Sequence, residues 1–192
     1  MKKFFVAMLF ASVGVSAFGQ VADVLPGRPK HDTACASVVE PNAASGALSN
    51  AVAEYVANVA DPADQNAIVA CAKKYLGRPY AHGATGPKSF DCSGFTRFVY
   101  DATGLAKLSR VPAGQYKQGK PITRISDMRP GDLVFFTGRS LSQKWGHVGI
   151  VVSAEPDGSK FKFIHANNRG VTIDESTMGY YKSRYVGCCR VL

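Results

Sequence analysis

The apolar residues of this chain recur at two different spacings, and the change from one to the other most constrains the fold. Up to about residue 119 they follow a helical repeat, which predicts helices at residues 61–76 and 92–102. Beyond that point, short apolar runs separated by Gly, Pro, Asp and Asn predict strands at residues 133–136, 146–152, 161–166, 171–174 and 185–192. Helices followed by a meander of antiparallel strands predict an α+β fold.

The first residues have the pattern of a secretory signal peptide. Lys2 and Lys3 precede a short apolar run and then small residues, with cleavage favoured after Gly19 over Ala17. An uncleaved anchor is the alternative, although the apolar run is shorter than a typical spanning helix. We therefore expect a signal peptide at residues 1–19, a leader or linker with room for a short helix at residues 20–60, and one compact domain at residues 61–192. The protein is expected to be exported, to the periplasm or to the extracellular space.

The charge and hydropathy of the chain argue against two classes of protein. It carries 23 Lys and Arg against 14 Asp and Glu, a formal net charge of +9. The basic residues are scattered, without the arginine runs or aromatic platforms that track a phosphate backbone, so we expect no nucleic acid partner. No internal apolar run could span a bilayer, so we expect no integral membrane segment after signal cleavage. A basic exported protein, expected to be a monomer, meets anionic polymers of the envelope instead.

Cysteine usage adds a second constraint. The five cysteines are Cys35, Cys71, Cys92, Cys188 and Cys189, and in an oxidising compartment an odd number leaves at least one unpaired. Cys71 lies on the apolar face of the first helix and is interpreted as a small core residue. Neighbouring cysteines on a strand point to opposite faces, so Cys188 and Cys189 should not bridge each other, whereas a disulfide from Cys35 to either stays open. No CxxC pair is present, and we expect neither a metal site nor a cofactor.

Three residues form a pattern typical of thiol chemistry. Cys92 opens the second helix, where the free N–H groups and the helix dipole favour a thiolate. His147 and His165 lie on one face of neighbouring strands, which predicts that they come close together, with the helix of Cys92 packed over the same face. A nucleophilic thiol needs an imidazole base, and the base needs a polar group that orients it. We therefore assign Cys92 as nucleophile, His147 as base and His165 as the orienting group, with a thiolate–imidazolium pair in the resting state.

The oxyanion formed by such an attack needs donors that are already in place. The backbone N–H of Cys92 and the hydroxyl of Tyr80 are the predicted donors. Trp145, at the start of a strand, is either a border of the substrate groove or plain packing.

Four motifs, in this order and spacing, resemble those of the NlpC/P60 peptidases. They are Gly77-Arg78-Pro79-Tyr80, Asp91-Cys92-Ser93-Gly94, Arg129-Pro130-Gly131-Asp132-Leu133-Val134-Phe135-Phe136 and Gly146-His147-Val148-Gly149-Ile150. The resemblance covers roughly residues 61–192. It implies a papain-like fold in which amino-terminal helices pack on an antiparallel sheet of five to six strands.

The resemblance also implies an activity and the residues that carry it. Members of this family are cysteine peptidases that cleave the stem peptides of bacterial cell wall, typically between γ-D-glutamate and the diamino acid, so peptidoglycan stems or muropeptide fragments are the expected substrates. It implies the same roles for Cys92, His147 and His165, and places Tyr80 beside the oxyanion. Members that require a free peptide amine use the residues flanking the nucleophile, which makes Asp91 and Ser93 candidate substrate contacts. An N-acetylmuramoyl-L-alanine amidase and a non-catalytic wall-binding protein are the alternatives.

Overall fold

The computed structural model describes residues 62–191 of the 192-residue chain. The predicted signal peptide, leader and short helix, together with Cys35, lie outside the described residues, and the predicted domain division therefore stays a prediction. The helices are α1 (Pro62–Lys73), α2 (Cys92–Thr103), α3 (Pro112–Gln118) and α4 (Gly179–Lys182). The strands are β1 (Lys120–Ile122), β2 (Leu133–Phe136), β3 (His147–Ala154), β4 (Phe161–Asn167), β5 (Gly170–Glu175) and β6 (Tyr185–Arg190).

The strands form one antiparallel sheet in the order β1-β6-β2-β3-β4-β5. This six-stranded sheet preceded by helices confirms the predicted α+β class. Residues 112–119 left a loop or a short helix open, and helix α3 forms there. Strand β1 and helix α4 were not predicted. Strand β1 has only three residues, includes Pro121, and pairs with β6 at the edge of the sheet, while α4 is a four-residue turn of helix between β5 and β6.

The two faces of the sheet pack differently. Helices α1 and α2 cover the face that carries Val148, Ile150 and Ile164, and together they form the larger core. The other face carries Val151 and Phe163 and is closed by aromatic side chains, including those of α4 and β6. No helix within residues 62–191 is long and apolar enough to cross a membrane.

The cysteines take a different arrangement from the one left open by the sequence. Cys188 and Cys189 lie in opposite core clusters, as the strand alternation predicted, and both are free thiols. A disulfide from Cys35 to either of them is therefore wrong. Cys71 is buried in α1, as predicted, but it is disulfide-bonded. The helical pattern predicted only that the Cys71 side chain is small and buried, and a half-cystine meets that description equally well.

A turn at Gly131 joins the helical layer to the sheet. The buried Tyr100 hydroxyl of α2 donates to the Gly131 carbonyl over 2.5 Å, and Gly131 N–H donates to Val151 O over 2.9 Å. Gly131 has φ +93°, a left-handed conformation that favours glycine. The next residue, Asp132, is buried and forms an ion pair with Arg190 of β6. The Arg-Pro-Gly-Asp motif is thus a structural corner.

Replacement of the Tyr100 hydroxyl tests this corner. We expect Tyr100→Phe to lower the free energy of unfolding by about 1–3 kcal/mol, because it leaves a buried carbonyl without its donor. Tyr180→Phe is the control, since Tyr180 is 57% exposed. Urea denaturation of the three proteins gives the comparison, and equal stability of Tyr100→Phe and the native protein would contradict the assignment.

Candidate active site

Helix α2 begins at Cys92 because Asp91 caps it. The Asp91 carboxylate accepts hydrogen bonds from Gly94 N–H over 2.7 Å and from Gly83 N–H over 2.9 Å. It therefore ties the first turn of the helix to the preceding loop. A Cβ on Gly94 would lie 2.2 Å from the Ala84 carbonyl oxygen, so only glycine permits this approach of loop and helix. The cap and the glycine together place the Cys92 thiol at the helix start.

A second segment, before and within α3, supports the same helix start. Arg110 forms a two-pronged ion pair with Asp91 and donates to Ser93 Oγ over 2.9 Å. Gln115, fully buried, donates to the Ser93 carbonyl over 3.0 Å and accepts from Thr96 Oγ1 over 2.8 Å. Sequence reasoning gave no role to Gln115, because an amide in a short helix carries no local signal of such contacts.

Asp91 and Ser93 are therefore engaged within the protein. Both are buried, and neither is among the residues that line the pocket described below. Burial alone would raise the pKa of Asp91, but hydrogen bonds from Arg110 and Gly94 outweigh it and lower that pKa, so the carboxylate stays ionised. A direct contact of either residue with substrate requires Arg110 to move, and it stays a prediction.

The two histidines meet as predicted. His147 is the first residue of β3, and its Nε2 lies 2.8 Å from Nδ1 of His165 on β4. His165 is fully buried, with its ring 4.7 Å from that of Phe163 and 5.3 Å from that of Tyr181, measured between centroids. This is the aromatic face of the sheet.

The expectation that α2 covers the histidine face is wrong. Helix α2 packs on the opposite face, against Val148 and Ile150. Cys92 and His147 nevertheless line one pocket, because each is the first residue of its element and both lie at the rim of the sheet. The backbone N–H of Val148 is close enough to hydrogen-bond to the Cys92 thiol.

Behind His165 lies a polar group that sequence reasoning missed. Asp174 Oδ2 of β5 is 3.0 Å from His165 Nε2, and Asp174 also forms an ion pair with Arg169. Asn167 Nδ2 and the Tyr181 hydroxyl lie 3.3 and 3.4 Å from the same His165 nitrogen. Only the strand register shows this partner, since His165 pairs with Thr172 and Asp174 is its diagonal neighbour on the same face.

Burial is the largest cause of the pKa shifts of Cys92 and His147. It raises the pKa of the Cys92 thiol, with the Asp91 charge adding to the rise and nearby N–H groups only partly opposing it. Burial and the neighbouring His165 lower the pKa of His147 to about 3. These shifts favour a neutral thiol beside a neutral imidazole, whereas the sequence predicts a resting ion pair, which stays a prediction. The helix start stabilises a thiolate, but desolvation has the larger effect here.

The pocket over these residues has a volume of about 880 Å³. Cys92, His147 and Tyr80 line it, whereas His165 supports it from behind. Its lining includes the exposed arginines Arg139 and Arg169 and no Asp or Glu side chain among the described residues. Its rim is thus cationic.

The two aromatic residues predicted beside the site, Tyr80 and Trp145, take different positions. Burial, followed by the charges of Cys92 and Asp91, raises the pKa of Tyr80, so the phenol stays protonated and able to donate. Trp145 stacks on Tyr116 with ring centroids 3.9 Å apart and packs against the larger core. Trp145 does not line the pocket. Of its two interpretations, this favours packing over a border of the substrate groove.

The pocket brings a cysteine and a histidine together on an α+β fold. The family model described as NlpC/P60 family matches residues 77–190. A probable endopeptidase p60 from Listeria grayi is 41% identical over 127 residues, which cover 66% of this chain and 22% of the relative. The chain belongs to the NlpC/P60 family, and it spans about a fifth of that relative's length.

Two further relatives and two solved structures are similar to this chain. A probable endopeptidase from Corynebacterium glutamicum is 33% identical, with coverage of 81% of this chain and 67% of the relative. A gamma-DL-glutamyl hydrolase from Bacillus subtilis is 34% identical, with coverage of 66% and 29%. A lipoprotein-like NLP/P60 protein of Staphylococcus aureus superposes with a TM-score of 0.60 at 28% identity, covering 73% of this chain and 47% of that one. The NlpC/p60 domain of peptidoglycan hydrolase SagA gives 0.51 at 31% identity, covering 66% and 97%.

Alkylation of Cys92 tests its protonation. Since burial raises the pKa of this thiol, we expect its reaction rate with iodoacetamide to keep rising with pH through and above about 9, without a plateau near neutral pH. Mass spectrometry of peptides identifies the labelled cysteine, and the buried Cys188 and Cys189 serve as internal thiols that should label slowly. A rate that is already constant from pH ~6 upward would instead restore the resting ion pair.

Proposed function

We propose that this protein is an exported cysteine peptidase that hydrolyses peptidoglycan stem peptides at the γ-D-glutamyl–diamino-acid bond. The observation that carries the proposal is the meeting of Cys92 and His147 in one pocket, with His147 held by His165 over 2.8 Å. The export rests on the predicted signal peptide. Cys92 is the nucleophile, His147 the base and His165 the orienting group, and no cofactor is needed.

Cys92 and His147 allow acyl transfer through a thioester, with every proton accounted for. Cys92 Sγ attacks the scissile carbonyl carbon while the thiol proton passes to Nδ1 of His147, since Nε2 of that ring faces His165. The negative charge that develops on the carbonyl oxygen is stabilised by the Cys92 N–H and the Tyr80 hydroxyl. Collapse of the intermediate expels the amine, which takes the proton from His147, and leaves a thioester on Cys92. Water deprotonated by His147 then cleaves the thioester and restores the thiol.

The choice of bond rests on the relatives and on charge. Relatives are named endopeptidases or, in one case, a gamma-DL-glutamyl hydrolase, and SagA is named a peptidoglycan hydrolase. A γ-linked D-glutamate keeps its α-carboxylate free beside the scissile amide. The cationic rim formed by Arg139 and Arg169 suits a substrate with carboxylates near that bond.

Digestion of defined muropeptides tests the bond and the nucleophile together. We expect the full chain to release fragments that end in γ-D-glutamate and to lose this activity on Cys92→Ala, which removes the thiol that lines the pocket among the described residues. Cys188→Ala is the matched control, because Cys188 is also a free cysteine but is buried in the core cluster on the aromatic face of the sheet. Mass spectrometry of the products reads the bond that is cut.

The other outcomes are equally specific. Cleavage between the sugar lactyl group and L-alanine would replace the peptidase by the amidase alternative. Binding to peptidoglycan by the native protein and by Cys92→Ala, with no turnover by either, would support the non-catalytic alternative. Cleavage that survives in Cys92→Ala would exclude Cys92 as the nucleophile.

The charge of the rim gives a separate prediction on substrate choice. Stems whose D-glutamate α-carboxylate is converted to the amide should be cut at least about tenfold more slowly, since a charged hydrogen bond contributes about 1.5–3 kcal/mol. Arg139→Gln should reduce this preference, whereas Arg124→Gln, whose exposed side chain pairs with Asp127 away from the pocket, should keep it. Measured kcat/KM for both stems supplies the test. Equal rates on acid and amide by the native protein would exclude the carboxylate contact and leave the bond assignment intact.

A further inference from the structure

The series of hydrogen bonds that begins at His147 continues beyond His165. From His147 Nε2 it passes to His165 over 2.8 Å and from His165 Nε2 to Asp174 over 3.0 Å. His165 and Asp174 are both buried, at 0% and 6% exposure. We propose that Asp174 is a positioning residue that sets the tautomer of both histidines and so prepares His147 to accept the thiol proton. This inference rests on the proposed function of Cys92 and His147.

The tautomers follow from what each atom can donate or accept. An ionised carboxylate only accepts, so the His165 nitrogen facing Asp174 carries the proton. The hydrogen bond from His165, and then that from Arg169, holds the pKa of Asp174 well below its usual range, which keeps this carboxylate ionised. Burial lowers the pKa of His165, although Asp174 opposes the shift, so the ring is neutral. Its Nδ1 is therefore a bare acceptor.

The same argument from donors and acceptors applies to His147. His147 must donate from Nε2 to the bare Nδ1 of His165, which leaves Nδ1 of His147 without a proton. That atom is then the one free to take the proton of Cys92. Without the carboxylate, His165 could carry its proton on either nitrogen, and the tautomer with the proton on Nδ1 could not accept the hydrogen bond from His147. Asp174 acts on the reacting atoms only through the two histidines.

Asp174 also stabilises the ionised product of the proton transfer. Its negative charge raises the pKa of His147 and so favours the imidazolium that forms when Cys92 is deprotonated. The titratable and charged groups that face His165 are His147 from β3, Asp174 from β5, Tyr181 from α4 and Arg169, which pairs with Asp174, from the turn between β4 and β5. The uncharged Asn167 amide also faces His165 Nε2, over 3.3 Å. Burial raises the pKa of Tyr181 to about 12, so this phenol stays neutral over the range in which a thiol titrates.

The first test is the tautomer of His165 in the native full-length chain. Selective 15N labelling of histidine and NMR should show the proton of His165 on Nε2. A proton on Nδ1 of the native His165 would overturn the proposal, and this measurement does not depend on whether any variant folds.

The second test compares Asp174→Asn with a matched variant, Asp132→Asn. Both remove the charge of a buried aspartate that is paired with an arginine, but Asp132 pairs with Arg190 away from the histidines. Iodoacetamide alkylation of Cys92 is followed by mass spectrometry across pH. At pH ~7 we expect Asp174→Asn to react about tenfold more slowly than the native protein, the effect of about one pKa unit on the thiol–imidazole equilibrium.

The shape of the pH dependence separates positioning from general loss of structure. The deficit of Asp174→Asn should vanish at alkaline pH, where Cys92 loses its proton to solvent without help from His147. Asp132→Asn should follow the native rate at every pH. A deficit that is independent of pH, or one that both variants share, would overturn the proposal. Neither the labelling nor the NMR measurement uses a peptidoglycan substrate, so failure of the proposed function would appear separately, as absence of muropeptide cleavage by a native protein with the expected tautomer.

Discussion

The carboxylate of Asp91 is the contact on which the candidate site depends. Three segments meet at it: the loop at Gly83, the first turn of α2 at Gly94 and the stretch before α3 at Arg110. Its removal would leave buried N–H groups and a guanidinium without an acceptor, a cost of several contacts at once. The position of the Cys92 thiol therefore depends on a neighbour that need not itself touch substrate.

The protonation of the site follows from burial more than from the helix start. A helix N-terminus favours a thiolate by partial charges, while desolvation disfavours any charge. At this site the second effect prevails for both Cys92 and His147. In the proposed mechanism, a neutral pair would form its thiolate only as the proton is transferred, so the groups that stabilise the imidazolium would act during the reaction. This makes the polar chain through His165 to Asp174 more important than it would be for a thiol that is already ionised.

The sequence predicted the parts of the molecule that carry local signals. Strands β2 to β6 alternate or form buried runs, and the hairpin between β3 and β4 brings His147 to His165, so these could be found by period and spacing. Strand β1 could not, since three residues that include Pro121 form a strand only because the edge of β6 is available. Asp174 became visible only with the register of β4 and β5, and Gln115 only with the packing of α3 on α2. The disulfide at Cys71 likewise depends on which chain segment comes close, which spacing does not specify.

The charges of the site are arranged in layers. Asp91 and Asp174 have side chains 8% and 4% exposed, and each is paired with a more exposed arginine, Arg110 at 35% and Arg169 at 60%. The carboxylates thus orient the helix start and the histidines from behind, while guanidinium groups are presented outward. Because an arginine has five N–H donors, each can hold its carboxylate and keep donors for an incoming anion. On the proposed function, a substrate carboxylate that approaches Arg169 would share that arginine with Asp174, and substrate charge would then act on the orientation of His165 through one side chain.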